Sequence, residues 1–461
     1  MEIDKTTYFD LSVFQTGDED SVFKKINFTR TSGGRDELEY LLHHPYHQLQ
    51  KILDTQASLR WIQAREAHWP TRITNGTLMV IEKFYTYNFD PIPKSASFFD
   101  ALMYKFLHGA DFSMLKYSVG HFIDFFQGMD QFLSHFLSEE TPPILRELLL
   151  EARSKMEEGG RIVAMAKEVP LPETGGVHGE SPSVKMPWHQ VIDIGHFVLY
   201  RFKSSIQELI HIYNRLDAYY GMAKATEVLG LRFPTIREQE TPIVKVKGLY
   251  HLLLKKPVPY NLQLDYQNNF LFLTGANMAG KSTFIKAVGI SVFLAHVGMG
   301  VPAAEMELSL FDGLLSNIQV QDNILKGESY FYNEVQRIKS TVLKVSDGRK
   351  WLILIDELFK GTNIEDAMNC SSAVIRGLLK VKSSLFILST HLYEIGEGLT
   401  VYPNIAFRYF ETSTDGDQLL FSYQLKEGIS NDRLGYLILK REKVVEMLEQ
   451  IPENPHPLSV K

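Results

Sequence analysis

A chain of 461 residues, 44% hydrophobic and 22% charged, is long enough for two to four domains with sizeable cores and has the make-up of an ordinary globular protein. Its net charge of -7 excludes a chain-wide basic field for nucleic acid, while a local basic surface stays open. The single cysteine, Cys370, excludes an internal disulfide and a multi-cysteine zinc site and fits a reducing cytosol.

Met1-Glu2-Ile3-Asp4-Lys5 lacks the basic-then-apolar pattern of a signal segment, so the expected location is the cytoplasm. From about Leu11 to Val169 apolar residues recur at helical spacing, as in Leu38-Glu39-Tyr40-Leu41-Leu42 and Pro143-Ile144-Leu145-Arg146-Glu147-Leu148-Leu149-Leu150. The aromatic cluster Phe98, Phe99, Phe122, Phe125, Phe126, Phe132 and Phe136 suits the core of that helical region better than a base-stacking platform. Pro170 to Pro187 is rich in turn residues and reads as a loop. A proline-free helical pattern then runs from Trp188 to Leu229 and stops at Gly230. About forty residues of helix would extend about 60 Å, the length of a lever or coiled-coil arm. A linker from Phe233-Pro234 to Pro242 comes next. Residues 1–235 are therefore expected to form an all-helical core and lever domain, and residues 236–461 a second domain.

From Ile243 onward short apolar runs alternate with helical stretches. Phe270–Leu273, Trp351–Ile355 and Leu385–Leu388 are near-continuous apolar runs, the pattern of parallel strands covered on both faces. Ala287 to Ala304 is the most membrane-like stretch. It carries Gly289, His296, Gly298, Gly300 and Pro302, which predicts a buried helix and turn and no membrane contact. Lys245, Lys247, Lys255 and Lys256, scattered among apolar residues, read as solvated strand faces.

Gly275-Ala276-Asn277-Met278-Ala279-Gly280-Lys281-Ser282 lies between the first of those strands and a helix that opens at Ser282-Thr283. It fits G-x-x-x-x-G-K-[ST], the phosphate-cradling loop of P-loop NTPases. The glycines let successive N–H groups curl around a phosphate, and the helix N-terminus adds partial positive charge. Lys281 would reach the β- and γ-phosphates and the Ser282 hydroxyl would hold Mg²⁺. The second strand ends in Asp356-Glu357, where Asp356 is placed to hold Mg²⁺ and Glu357 to polarise an attacking water. The expected ligands are ATP and Mg²⁺.

Asp356-Glu357 points to the ABC-type ATPases within the P-loop class. Leu388-Ser389-Thr390-His391 puts His391 just past the third strand, where a switch histidine contacts the γ-phosphate. Gly327-Glu328-Ser329, ahead of a helix predicted from Tyr330 to Leu343, has the position of the ABC signature. Its serine would cap a γ-phosphate bound by a second subunit.

Thr274-Gly275-Ala276-Asn277-Met278-Ala279-Gly280-Lys281-Ser282-Thr283 resembles the T-G-P-N-M-G-G-K-S-T of the MutS family. Ile355-Asp356-Glu357-Leu358-Phe359-Lys360-Gly361-Thr362 is similar to its M-D-E-I-G-R-G-T, and Ser389-Thr390-His391-Leu392-Tyr393-Glu394 to its A-T-H-Y-F-E. Phe421 to Gly428 resembles the strand and turn that close the family's ATPase domain. There Tyr423 stands where a histidine near the adenine is usual, which implies a stacking role. Phe23 to Arg35 with Leu41-Leu42-His43-His44-Pro45 is similar to the opening of the family's core domain, and Leu216 to Pro234 to the end of its lever helix.

The resemblance implies an α+α/β multidomain protein in which a helical core and lever precede an ABC-type P-loop ATPase domain with a mainly parallel sheet. It implies catalytic roles for Glu357, His391, Lys281 and Ser329, with nucleotide contacts from Gly275, Asn277, Met278, Gly280, Lys281, Ser282, Thr283 and Tyr423. Ser282 and Asp356 are the implied Mg²⁺ ligands, at the interface of a homodimer. The chain also departs from the family pattern. The core match starts near residue 21, no Phe-x-Glu wedge occurs in the chain, and the clamp position holds only the Pro170–Pro187 loop. The expected mismatch-recognition and connector domains therefore have no room, and the dimerising C-terminal hairpin looks shortened to Asp432–Gln450. Two functions stay open: ATP-coupled binding of duplex or branched DNA, or a switch that grips a protein or ribonucleoprotein partner.

Overall fold

The computed structural model describes residues 1–15, 20–94, 97–170, 186–319, 330–415, 418–430 and 443–450. Strand β1 (Glu2–Ile3) and helices α1 (Lys5–Asp10) and α2 (Val22–Ile26) open the chain. Helices α3 (Ser32–His43), α4 (Leu49–Ala64), α5 (Asn75–Phe84), α6 (Phe98–Leu107) and α7 (Gly109–Phe136) come next. They are followed by α8 (Pro143–Glu158), α9 (Gly160–Lys167), α10 (Trp188–Tyr200) and α11 (Lys203–Val228). Strands then dominate: β2 (Thr235–Arg237), β3 (Val244–Leu249), β4 (Tyr260–Leu264) and β5 (Phe270–Thr274), then α12 (Lys281–Val297), β6 (Glu305–Ser309) and β7 (Gly313–Asn317). The chain continues with α13 (Tyr330–Val345), β8 (Trp351–Asp356), α14 (Ile364–Leu378), β9 (Leu385–Ser389) and α15 (Glu394–Glu397). Strands β10 (Ile405–Asp415) and β11 (Gln418–Glu427) and helix α16 (Val444–Glu449) complete it. These elements form two compact units: Met1–Lys25, Pro45–Leu49 and Gly230–Lys461 make one, Ile26–His44 and Gln50–Leu229 the other.

Every regular element described in the second unit is helical, and local sequence explains several of the starts. Thr74 with Thr77, and Ser97 with Asp100, form reciprocal capping boxes at α5 and α6, and Pro143 opens α8 where no N–H is needed. Along α7 the side chains of Phe122, Phe125, Phe126, Phe132 and Phe136 are buried as expected, each contributing about 1.5–3 kcal/mol. Phe98 and Phe99 are a correction: they are 68% and 66% exposed. They occupy the first turn of α6, where only Ala101 and Tyr104 turn inward, and Phe98 keeps one stacked ring beside it, Trp188.

The single helix expected from Trp188 to Leu229 is two helices, broken at Arg201-Phe202. There the N–H groups of both residues converge on the Phe197 carbonyl, and Phe202 turns in to stack on Phe197 at 5.0 Å. Burying that ring wins over continuing the helix, and no proline or glycine announces it. The longer piece, α11, has 26 residues and extends about 39 Å.

In the first unit a seven-stranded sheet has the order β1-β7-β8-β9-β5-β10-β11. All neighbours are parallel except β10 and β11. Strands β5, β8 and β9 are buried at every residue, which is why they read as continuous apolar runs. Strand β9 lies between β5 and β8, and Ser389 is in register with both Asp356 and Leu273. The C-terminal ends of the three strands therefore share one edge. A four-stranded sheet, β2-β6-β3-β4, carries Lys245 and Lys247 on its exposed side, as expected, with Lys247 paired to Glu305.

The expected boundary at residue 235 is corrected on two counts. Residues 1–25 belong with the sheets and not with the helices. Strand β1 pairs with β7, the Ser316 N–H donates to Thr7 Oγ1, and Asp10 accepts from Ser316 Oγ and the Ile318 N–H. A two-residue strand shows no period, and these partners lie about 300 residues away, beyond any local pattern. The expected linker also contributes a strand, β2, paired with β6. Helix α12 is buried as expected, and among the described residues no helix is long and apolar enough to cross a membrane. Most of the Pro170–Pro187 loop, the Gly327-Glu328-Ser329 segment and residues 431–442 lie outside the described residues.

Candidate functional site

Strand β5 delivers the chain into a turn over residues 275–280, and α12 leaves it. Gly275 has φ +138° and Gly280 φ +111°, conformations that side chains disfavour. A Cβ on Gly275 would also come within 3.3 Å of the Phe410 backbone. Met278 takes φ +67° and leaves its side chain 67% exposed at the rim, beside the exposed Asn277. Lys281, the first residue of α12, is buried, and its Nζ donates to the carbonyls of Gly275 at 2.7 Å and Ala276 at 3.0 Å. Burial lowers its pKa, and the nearby carboxylates of Glu357 and Asp356 oppose that shift. The unpaired N–H groups of the first turn of α12 add to the positive potential of this turn.

Asp356, at the end of β8 and largely buried, receives two hydroxyls. Ser282 Oγ donates to Oδ2 and Ser389 Oγ to Oδ1. The sequence pairs Ser282 with Asp356 only through a shared ion, whereas the fold puts them in direct contact. A carboxylate and a hydroxyl at one cleft edge are hard oxygen donors, a set that fits Mg²⁺.

Glu357 comes next with φ +61°, its N–H donating to the Ser389 carbonyl at 2.9 Å. His391 Nδ1 stands 3.5 Å from Oε1, and Lys360 Nζ stands 3.1 Å from Oε2. The hydrogen bond from His391 and the charge of Lys360 outweigh burial and hold the carboxyl down to about 2, so it is ionised throughout the physiological range.

The turn, Asp356 and Glu357 open onto a cleft of about 660 Å³, which Thr283 also lines. Val258, Tyr260 and Tyr423 line it as well. Tyr423, on β11 with φ +53°, brings its ring beside Gly280, where a Cβ would lie 3.5 Å from Cδ1. Thus Gly275, Asn277, Met278, Gly280, Lys281, Ser282, Thr283, Asp356, Glu357, His391 and Tyr423 come together, while Ser329 lies outside the described residues.

Sequence reasoning does not single out four of the neighbours: Ser389, Lys360, Tyr260 and Glu334. Ser389 and Lys360 lie inside the S-T-H and D-E-L-F-K-G segments and are visible there. Glu334, on α13, accepts the N–H of Lys360 at 3.0 Å and of Gly361 at 3.1 Å, a contact that no local pattern marks.

Residues 271–453 match the family model described as MutS domain V. The chain is 27% identical over 260 residues to the DNA mismatch repair protein MutS of Petrotoga mobilis, covering 55% of this chain and 32% of that protein. It is 28% identical over 265 residues to the MutS protein homolog 4 of Homo sapiens, covering 50% of this chain and 28% of that one. A MutS of Pseudothermotoga lettingae is 33% identical over 178 residues, 39% of this chain and 22% of the relative. The chain spans about a third or less of the length of these curated relatives.

Proposed function

Because the chain belongs to the MutS family, we propose that its sheet-bearing unit is an ABC-type ATPase that works with Mg²⁺ and couples ATP turnover to binding of duplex or branched DNA. The observation that carries this reading is the meeting, at one sheet edge, of the 275–281 turn, the Ser282–Asp356 contact and an ionised Glu357.

In this reading the N–H groups of the turn cradle phosphate oxygens, and Lys281 exchanges its loop carbonyls for the β- and γ-phosphates. Ser282 and Asp356 hold Mg²⁺, which when bound neutralises phosphate charge. Glu357 orients the attacking water and takes its proton, flanked by His391 and Lys360, and His391 also reaches the γ-phosphate. Tyr423 stacks on the base. A second copy contributes Ser329, so that the active form is a homodimer.

Support for DNA comes from the relatives, which are named as DNA mismatch repair proteins, and a role in mismatch repair or recombination is the reading that accords with them. Several basic side chains of the helical unit, including Arg72, Lys155, Lys167 and Lys224, are already paired with carboxylates. DNA binding should therefore be modest, with a correspondingly shallow salt dependence. The test is binding to homoduplex, mismatched and branched DNA across a salt series, with and without ATP. Negligible binding to all three would remove DNA and leave the protein or ribonucleoprotein partner. For the dimer, mixing Ser329→Ala with Lys281→Ala subunits should restore turnover, since each mixed dimer keeps one intact site; no recovery would count against a shared site.

A further inference from the structure

We infer that Glu334 is a positioning residue for the hydrolytic turn: from α13 it holds the backbone of residues 357–361 so that Glu357 faces the cleft. The inference rests on the proposed ATPase reading for the role of Glu357, but its geometry stands alone.

The segment after β8 holds two non-glycine residues at positive φ within three positions, Glu357 at +61° and Phe359 at +58°. An unconstrained chain leaves such conformations, so something must hold them. One end is tied by the Glu357 N–H to the Ser389 carbonyl. The other is tied by Glu334, whose Oε1 accepts the Lys360 N–H at 3.0 Å and whose Oε2 accepts the Gly361 N–H at 3.1 Å. Two adjacent N–H groups need two adjacent acceptors. A carboxylate supplies both, an amide only one oxygen, and aspartate is one methylene shorter. Glu334 is only 5% exposed, so water is a poor substitute.

Helix α13 is itself held. Phe331, one turn before Glu334, packs on Phe359 with ring centroids 5.7 Å apart, and Ile338 shares a buried cluster with Leu358 and Phe359. On the same helix Arg337 Nη2 donates to the Ser316 carbonyl at 3.1 Å. Glu334 therefore transmits the position of an anchored helix to the turn. The consequence reaches the reacting side chain through Lys360, whose N–H Glu334 fixes and whose Nζ stands 3.1 Å from Glu357 Oε2. Without the anchor both the backbone and the cation that orient Glu357 are released, while Lys281, Ser282 and Asp356 keep their own contacts.

The test compares Glu334→Gln and Glu334→Ala with the unsubstituted full chain and with Glu357→Gln. In Glu334→Gln, hydrogen exchange over residues 357–361 should rise roughly tenfold or more while residues 351–356 exchange as before. ATP turnover should fall roughly ten- to a hundredfold, with KM and the Kd for a non-hydrolysable ATP analogue within about twofold. Glu334→Ala should reproduce this more strongly, and its unfolding midpoint shows whether the unit still folds. Unchanged exchange over 357–361, or turnover at the unsubstituted rate in Glu334→Gln, would overturn the inference. A rise in exchange throughout the sheet unit in both variants would do so too, by making Glu334 a general core residue. No turnover in the unsubstituted protein, with Glu357→Gln indistinguishable from it, would instead sink the ATPase reading; the exchange measurement would still decide whether Glu334 anchors the turn.

Discussion

Ser282 Oγ donates to Asp356 Oδ2 across 74 residues of sequence, joining the first turn of α12 to the end of β8. A hydroxyl and a carboxylate held in contact are preorganised for the role proposed for them, a pair of oxygen ligands to Mg²⁺. Ser282→Ala or Asp356→Asn should therefore weaken nucleotide binding in Mg²⁺ by roughly 10- to 100-fold, the scale for losing a preorganised ligand or its orienting partner. Binding in excess EDTA should hardly change. Titration of a fluorescent ATP analogue with and without Mg²⁺ checks this. A variant that keeps full Mg²⁺ dependence would refute the ligand assignment.

Glu357→Gln keeps the shape of the side chain and removes its basicity. Turnover should drop by roughly 10²- to 10⁴-fold with nucleotide affinity retained, as single-turnover kinetics would show. If the variant hydrolyses ATP at the unsubstituted rate, Glu357 is not the base.

The same carboxyl has its pKa lowered from 4.5 to about 2, first by His391 and then by Lys360. The depressed folded value means that its stabilising contribution is present above about pH 4.5 and is lost as pH falls from there towards 2. Turnover should show no acid limb from Glu357 between pH 8 and 5. In His391→Ala the carboxyl should move back towards its ordinary value, and the low-pH loss of activity should start earlier. A pH profile identical in both proteins would contradict the coupling.

His296, fully buried on α12, has partners that demand the neutral ring: Nδ1–H donates to the Tyr46 carbonyl at 2.9 Å, and Nε2 accepts the Phe311 N–H at 3.3 Å. Burial lowers its pKa from 6.5 to about 4, and His251 is lowered to about 4 by burial and by Lys286. Both must charge on unfolding in acid, so stability is complete above about pH 6.5 and falls as pH drops towards 4. For His296 alone the loss approaches about 3 kcal/mol at pH 4. Denaturant unfolding from pH 7 to 4.5 should steepen accordingly, and His296→Gln should flatten the curve while lowering its plateau. Parallel curves would show that His296 is not the titrating group.

In the helical unit Asp217 is fully buried and accepts the N–H groups of Arg30 and Thr31 and the Thr31 hydroxyl. It thereby fastens α11 to the start of α3, where Thr31 is the N-cap. Asp217→Asn cannot accept all three, and leaving buried donors unmet should cost about 2 kcal/mol. Gly34→Ala should do comparable damage, because its Cβ would lie 2.1 Å from Asp217 Oδ2. Unfolding midpoints of the two variants would check both; an unchanged midpoint in Asp217→Asn would refute the fastening role.

What the sequence by itself determined is which residues gather at one sheet edge. The glycines of the 275–280 turn, Lys281, Ser282, Asp356, Glu357 and His391 lie at strand ends or on the turn and helix that follow one. Each strand there is buried on both faces and so appears as an unbroken apolar run. Tertiary structure decided matters whose cause lies far away in the chain. The pairing of β1 with β7 took residues 1–25 into the sheet unit, and the inward turn of Phe202 broke the long helix. Glu334 came to hold the turn that presents Glu357. Local periodicity reports which face of an element is buried. It carries no information about which distant backbone N–H groups a buried carboxylate will meet, because that depends on how the elements pack.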